Sequence, residues 1–503
     1  MRKTPPVGWQ IVPVAALLAP CALQVLLGIR RSLRRRATED AERRLALKLP
    51  EFKLTRSRHL VDLLMADPAV LEAVEKHSRE HGETQTGGCG AERYALEIVP
   101  SFSPYLYFRI GLPLAGLVSR ALYRLALEER QTVERDATVV FVMNHRSNLD
   151  YVILAYLMRD QAALSFAAGE WARAWPAGWF VRAMGSFFVR RGSGDPLHRR
   201  VLERFVQMAV EGGLTQVIFP EGGLSRDGRP REPKVGLLDY MLRSFDPSSG
   251  RDIFFVPVAV NYDRILEDRA LLAAQKPGAQ GPGDRLIPSQ AANFICHNLR
   301  LTLGGARDRR PYAVVNFGAP VSARRYALSR GLDFRAMDEE VRAGEVEMLV
   351  QELMRAVGML VPVLPVPVIA YILVSAPEET LTSSEIKARV RALTSSLESR
   401  GVRVLLRGGE RDVEDGLGLL AARRLITEDE GLYRICPREI GFCATMLPLS
   451  LTSSRPARMR SVSRTAGLWS PVEKVGLITR IGPLRRFSCR RRSGRGGGRR
   501  RSR

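Results

Sequence analysis

Asn144-His145-Arg146-Ser147-Asn148-Leu149-Asp150 stands directly after the β-branched run Thr138–Met143 (TVVFVM), and the reading of that junction decides the fold. The run before it looks like a strand, and Tyr151–Met158 after it looks helical. On one continuous helix, five residues turn through about 500°, leaving His145 and Asp150 about 140° apart. The two side chains can meet only if His145 sits in a strand-to-helix turn and Asp150 on the first helical turns. Asp150 can then accept from Nδ1–H of His145 and fix its tautomer, leaving Nε2 free as a general base. An HxxxxD spacing alone is more often a capping or core histidine, so the neighbouring segments must carry the argument.

Further candidate strands are Ser186–Val189, Gln216–Phe219, Ile253–Val260 and Tyr312–Phe317, with His198–Val210 helical between them. Strand–helix alternation over residues 135–330 predicts an α/β fold, a mostly parallel central sheet flanked by helices. Functional loops in such a fold lie at the strand C-termini. Two more polar segments follow strands in this way. Gly185-Ser186-Phe187-Phe188-Val189-Arg190-Arg191-Gly192 puts paired arginines at a strand end, suited to bidentate binding of a phosphate. Phe219-Pro220-Glu221-Gly222-Gly223-Leu224-Ser225-Arg226 leads on to Pro233-Lys234. Its glycines allow close backbone approach to a ligand, and Ser225, Arg226 and Lys234 are further phosphate donors. Alone, each segment is an ordinary turn. Together they describe a His–Asp base beside several cations, suited to activating a hydroxyl on a phosphorylated acceptor.

The chain has 503 residues and a net charge of +24, but the charge is unevenly placed. Residues 1–36 carry +7 and residues 451–503 carry +15, which leaves +2 for everything between. A nucleic-acid enzyme usually spreads its basic residues over a working face, so no specific nucleic-acid partner is expected. The six cysteines form no CxxC pair, and no GxSxG, Walker or HExxH motif is present, which leaves zinc ribbons, serine hydrolases, P-loop enzymes and zincins unsupported.

The organisation falls into five parts. Residues 1–36 form an apolar and basic membrane-associating segment. Its stretch Ile11–Ile29 reads as a spanning or re-entrant anchor, as an interfacial segment on an anionic leaflet, or as a cleaved signal or mis-set start. Residues 37–134 are a helical N-terminal region with a Gly-rich break at Thr86–Gly90. The stripe Ile98–Leu127 within it is either a core-packing helix or a helix lying in the membrane interface, with Arg109, Arg120 and Arg124 reaching to phosphates. Residues 135–330 are the α/β domain. Residues 331–450 are a small helical C-terminal domain of winged-helix character, which contains the Pro-punctuated Val361–Ser375, too broken for a spanning helix. Residues 451–503, rich in Arg, Ser and Gly, cannot bury a core and read as a disordered tail.

From about residue 55 to 435 the chain resembles the glycerolipid acyltransferases, specifically the bacterial glycerol-3-phosphate acyltransferase branch. NHRSNLD resembles the family's HxxxxD block, and Gly185–Arg191 its GxFFIRR block. Phe219–Arg229 with Pro233-Lys234 resembles the FxEGxRSRxGK…PK block, and Val256–Arg264 the VPVxIxYDR block. Leu224 departs from the pattern, standing where the family commonly has Arg. The resemblance implies catalysis by His145 and Asp150. It implies substrate binding by Arg146, Ser147, Arg190, Arg191, Glu221, Gly222, Gly223, Ser225, Arg226 and Lys234, with Val256–Val260 shaping the floor of the site or an acyl channel. The implied reaction moves an acyl group from acyl-CoA or acyl-carrier protein to the sn-1 hydroxyl of glycerol 3-phosphate. Lysophosphatidate and dihydroxyacetone phosphate are alternative acceptors. No metal and no cofactor beyond the thioester co-substrate are implied. The partners are membrane lipid, the acyl donor and the acceptor, at the cytoplasmic face of the inner membrane.

Overall fold

The computed structural model describes residues 28–29, 31–33, 35–36, 38–40 and 49–445, except 82–85, 129–135, 170–176, 191–193, 227, 249–250, 274–295, 299, 301–303 and 305–308. Residues 1–27, with most of the apolar stretch, lie outside the described residues, as do Arg191 and the tail from 451. Eight strands form one sheet: β1 (Arg124–Glu128), β2 (Thr138–Met143), β3 (Ser165–Ala168), β4 (Phe187–Phe188), β5 (Gln216–Ile218), β6 (Ile253–Tyr262), β7 (Tyr312–Phe317) and β8 (Val321–Ser322). Their order is β1-β7-β6-β2-β5-β3-β4, with β8 beside the start of β6. Strands β6, β2, β5, β3 and β4 are mutually parallel. Strands β7 and β8 run antiparallel to β6, and β1 pairs parallel with β7. The sheet is therefore mostly parallel, as the alternation predicts, and mixed at one edge.

Alternation along the central strands sorts residues to two cores. On β2, Val140 and Val142 join one apolar cluster while Phe141 and Met143 join the other. Both faces are buried, which is why these strands read as continuous apolar runs. The first face is covered by α3 (Thr86–Ile98), α6 (Pro196–Glu211), α7 (Gly236–Leu242) and α8 (Glu339–Leu360). They rest on α1 (Ser57–Met65) and α2 (Pro68–His81). The second face is covered by α4 (Leu112–Leu122) and α5 (Asp150–Leu157). Each fully buried Leu or Val in these layers contributes about 1.5–3 kcal/mol.

Two local expectations are corrected, and a third, that Val361–Ser375 is too broken to span a membrane, agrees with the structure. The Gly-rich run Thr86–Gly90 is the start of α3, not a break. Ala91, Ala95 and Ile98 farther along are fully buried, and that packing outweighs the weak helix propensity of glycine. The stripe Ile98–Leu127 is not one helix. A π-helical turn at Leu106–Gly111 runs into α4, the chain extends at Tyr123, and residues from Arg124 pair with β7 at the sheet edge. Val361–Ser375 contains α9 (Pro365–Ser375), whose residues from Pro365 to Val374 are all buried. Eleven residues span about 16 Å, too little for a bilayer. Among the described residues no helix is long and apolar enough to cross a membrane.

After α9 come β9 (Leu381–Thr382), α10 (Ser383–Glu398), α11 (Glu410–Ala422), β10 (Ile426–Asp429) and β11 (Leu432–Ile435). The strands form a small antiparallel sheet, β10-β11-β9. Helix, strand, two helices and a hairpin is the winged-helix order. A reciprocal cap between Thr382 and Glu385 starts α10.

A buried polar joint ties this unit to the main sheet. Asp263, just past β6, accepts from Tyr312 N (2.9 Å) and Val366 N (3.1 Å). Asp412 accepts from Tyr312 Oη (3.0 Å) and lies 3.5 Å from Arg124. Burial pushes the Asp263 carboxyl up from 3.8 to about 7. A raised folded-state pKa means that the folded chain holds this proton more tightly. The contribution to stability is present below about 4 and is lost as the pH rises through about 7. Asp263→Asn, which leaves one N–H unpaired, is expected to melt earlier than the parent at pH 5, with the gap narrowing toward pH 8. A pH-independent gap in Tm would show that Asp263 does not titrate in this window.

Candidate active site

Because β6, β2, β5, β3 and β4 are parallel, the loops leaving their C-termini gather along one edge of the sheet. The loop after β2 carries His145, that after β5 Glu221, that after β6 Asp263 and Arg264, and that after β4 Arg190. Asp150 is the first residue of α5, and its backbone N–H donates to the Ser147 carbonyl (3.0 Å). His145 therefore sits in the strand-to-helix turn, which is the one placement that lets the pair meet.

Oδ2 of Asp150 lies 2.9 Å from His145 Nδ1 and accepts from the backbone N–H of Arg146 (2.8 Å) and Ser147 (3.1 Å). Its Oδ1 accepts from Tyr262 Oη at 2.5 Å. Both Asp150 and His145 are buried, at 0% and 5% exposure. A buried carboxylate surrounded by four hydrogen-bond partners orients the imidazole and compensates its own desolvation. His145 stacks on Phe219, with centroids 4.2 Å apart, and stands edge-on to Tyr151. Its Nε2 faces the Tyr151 hydroxyl at 3.4 Å, a contact long enough to yield to a substrate hydroxyl.

Two buried glutamates hold the loop around this pair. Glu221 accepts from His145 N (3.2 Å) and Arg231 N (3.1 Å), so it clamps the β2 and β5 loops together. Glu267 accepts from Ser147 Oγ (2.8 Å) and Asn148 N (3.1 Å). Burial raises the pKa of both carboxyls. The Tyr262 hydroxyl is pushed well up by burial and by the adjacent Asp150 charge, so it stays protonated as a donor. Asn144 fastens the turn to β6, donating to Val260 O (3.0 Å) and accepting from Val260 N (2.8 Å).

The cation candidates are dispersed. Arg146 donates to Gly228 O (2.7 Å) and, with Ser225 and Arg226, lines a cleft that Tyr262, Asp263 and Arg264 also border. Ser225 N donates to His145 O (2.8 Å), and its hydroxyl donates to Arg229 O (2.7 Å). Gly222 has φ +65°, and an added Cβ would stand 3.0 Å from Lys234 Cδ, so the stem of Lys234 lies across it. Lys234 itself is exposed, and Gly223 is buried. Ser147 faces Glu267 and is buried. Arg190 is engaged elsewhere. Its guanidinium grips Glu97 of α3 through two hydrogen bonds (2.8 and 2.5 Å) and covers Tyr94. Leu224 is 1% exposed, packed inward beside Ser225.

Tyr262 and Glu267 join the site without having been singled out from sequence. Tyr262 stands within the Val256–Arg264 motif, where its place at the strand end marks it. Glu267 carries no local signal, because only the tertiary fold brings it to Ser147. Val256–Val260 form the buried middle of β6, one strand away from β5 across β2.

Comparison with known proteins agrees with this geometry. Residues 124–261 match the family described as Acyltransferase, and residues 305–438 match the Glycerol-3-phosphate acyltransferase C-terminal region. The chain is 28% identical over 362 residues to a glycerol-3-phosphate acyltransferase of Aeromonas hydrophila, covering 69% of this chain and 43% of the relative. It is 31% identical over 271 residues to one of Ectopseudomonas mendocina, covering 52% and 31% respectively. The chain thus spans less than half the length of these curated relatives. The crystal structure of a 1-acyl-sn-glycerophosphate acyltransferase from Thermotoga maritima aligns at 16% identity over 50% of this chain and 79% of its own, with a TM-score of 0.28, too slight a likeness to bear on the fold.

Proposed function

We propose that this chain, which joins an acyltransferase domain to a glycerol-3-phosphate acyltransferase C-terminal region and so belongs to the glycerolipid acyltransferases, transfers a fatty acyl group from a thioester to the sn-1 hydroxyl of glycerol 3-phosphate. The observation that carries the reading is the buried His145–Asp150 pair beside an arginine-lined cleft. His145 Nε2 takes the proton of the acceptor hydroxyl as its oxygen bonds to the thioester carbonyl carbon. The C–S bond then breaks, and the leaving sulfur takes the proton back from the imidazolium. Asp150 holds the imidazole in the required tautomer throughout. No covalent acyl-enzyme is needed, and holding the two substrates together supplies much of the rate. Acyl-CoA or acyl-carrier protein serves as donor. Arg146, Arg226 and Lys234 supply cations from the loops around the base, with Ser225 as a neutral donor.

Inward packing of Leu224 favours a second acceptor reading, since a cation usual in the family is absent here. Lysophosphatidate and dihydroxyacetone phosphate are the alternatives. A lipid surface at the cytoplasmic face of the inner membrane is part of the proposal. It is supported by Ile110, Leu114 and Leu117, which are 41%, 47% and 65% exposed around Arg109 and Arg120. Against a nucleic-acid role, Lys387 and Arg391 of α10 are engaged by Glu410 and Glu414 of α11 and not left for a phosphate backbone.

The test is acylation of the three acceptors in parallel by membrane and soluble fractions of expressing cells. Glycerol 3-phosphate is expected to be used at least tenfold more efficiently in kcat/KM, with activity in the membrane fraction. Preference for either alternative would reassign the acceptor, and activity confined to the soluble fraction would remove the membrane assignment.

A further inference from the structure

The cleft beside the base has a wall that the acyltransferase domain does not supply. Arg423 and Phe442, both from the C-terminal unit, line it together with Tyr262 and Arg264. Arg423 caps the end of α11 and is almost wholly buried, its side chain 7% exposed. Its Nη2 donates to Asp268, and its guanidinium covers the Phe442 ring with 5.0 Å to the centroid. Among the described residues its Nη1 is buried without a hydrogen-bond partner. Such a donor is costly to leave unmade in an apolar setting.

Two further arginines stand close to it. Arg264 stands in the same cleft, and Arg269 also lies over the Phe442 ring, 5.1 Å from its centroid. Burial, with repulsion from Arg423, brings the Arg264 guanidinium down to about 10. Asp268 pairs with Arg423, Glu439 lies 3.5 Å from Arg269, and Asp263, its carboxyl pushed up by burial, lines the same cleft. The turn that presents Arg423 is itself constrained: Arg424 adopts a left-handed φ of 57°, and Leu425 N closes back on Leu420 O at 3.0 Å.

We propose that Arg423 is a phosphate-binding residue of the active cleft, so that the C-terminal unit completes the site instead of flanking it. Asp268 fixes one side of the guanidinium, and the remaining N–H groups take oxygens of a phosphate ester carried by a substrate. Tyr262 joins that end of the cleft to Asp150, so a phosphate at Arg423 positions its substrate relative to His145. The inference rests on the acyl-transfer reading above. The phosphate belongs either to the glycerol phosphate acceptor or to the nucleotide of the acyl-CoA donor.

Arg423→Lys and Arg423→Gln in the full chain distinguish these. Lysine keeps the ion pair with Asp268 but loses the planar second donor, so it remains informative if the glutamine variant fails to fold. With Arg423→Lys melting within a few degrees of the parent, KM for one phosphate-bearing substrate is expected to rise about tenfold, with kcat within about threefold. A rise for the acceptor alone assigns the acceptor phosphate, and a rise for acyl-CoA alone assigns the donor. Millimolar inorganic phosphate is expected to raise the Tm of the parent and to have less effect on the Lys variant. Unchanged KM values for both substrates together with unchanged protection by phosphate would overturn the proposal. If the parent shows no acyl transfer, the acyl-transfer reading fails, and the phosphate-induced shift in Tm still decides the role of Arg423.

Discussion

His145→Ala is expected to lower kcat about a thousandfold, within the range a positioned general base supplies, while leaving the protein folded. Truncating the ring removes the imidazole that Asp150 orients and that serves as the base. The consequence for folding is milder, because Asp150 keeps its bonds from Tyr262 and from the N–H groups of Arg146 and Ser147. The lost stacking on Phe219 and the cavity left behind cost on the order of 2 kcal/mol. A Tm lowered by several degrees with essentially no turnover is therefore the expected pair of results. Activity within tenfold of the parent would place the base elsewhere.

Asp150→Asn is expected to affect both quantities strongly. The carboxylate accepts from or faces His145, two backbone N–H groups and the Tyr262 hydroxyl, and it has no access to water. An amide offers one acceptor oxygen, and its NH2 must face at least one of these donors. Each buried donor left unpaired costs about 1–3 kcal/mol. Loss of the orienting acceptor also releases the imidazole to the wrong tautomer, for an expected fall in kcat of about a hundredfold to ten-thousandfold. Tyr262→Phe removes one donor and leaves the other three, so about 1 kcal/mol of stability and a modest loss of rate are expected. Asp150→Asn that melts early but turns over normally would make Asp150 a structural residue only.

Much of this was legible in the sequence because the evidence is local. The strand-to-helix placement of His145 and Asp150 follows from their spacing and from the periodicity on either side. The mostly parallel sheet follows from alternation of apolar runs with helices. What escaped was set by tertiary packing. Thr86–Gly90 is helical because the rest of α3 is buried, and β3 is four residues of unremarkable composition that become a strand by lying between β5 and β4. Arg190 reads as a phosphate ligand until Glu97, ninety-three positions away, is seen to hold it. Glu267 and Arg423 have no neighbours in sequence that advertise them, and both reach the site only because the chain returns to the same edge of the sheet.

Direct transfer from thioester to glycerol phosphate at the His145–Asp150 edge, as proposed above, couples thiol release to acylation of the acceptor. The most direct measurement follows labelled glycerol 3-phosphate and free thiol together, in the parent protein supplied with acyl-CoA. Labelled lysophosphatidate is expected in amounts equal to the thiol released, with almost no thiol without acceptor. Thiol released at the same rate without acceptor, or no labelled product with acyl-CoA or acyl-carrier protein, would contradict direct transfer.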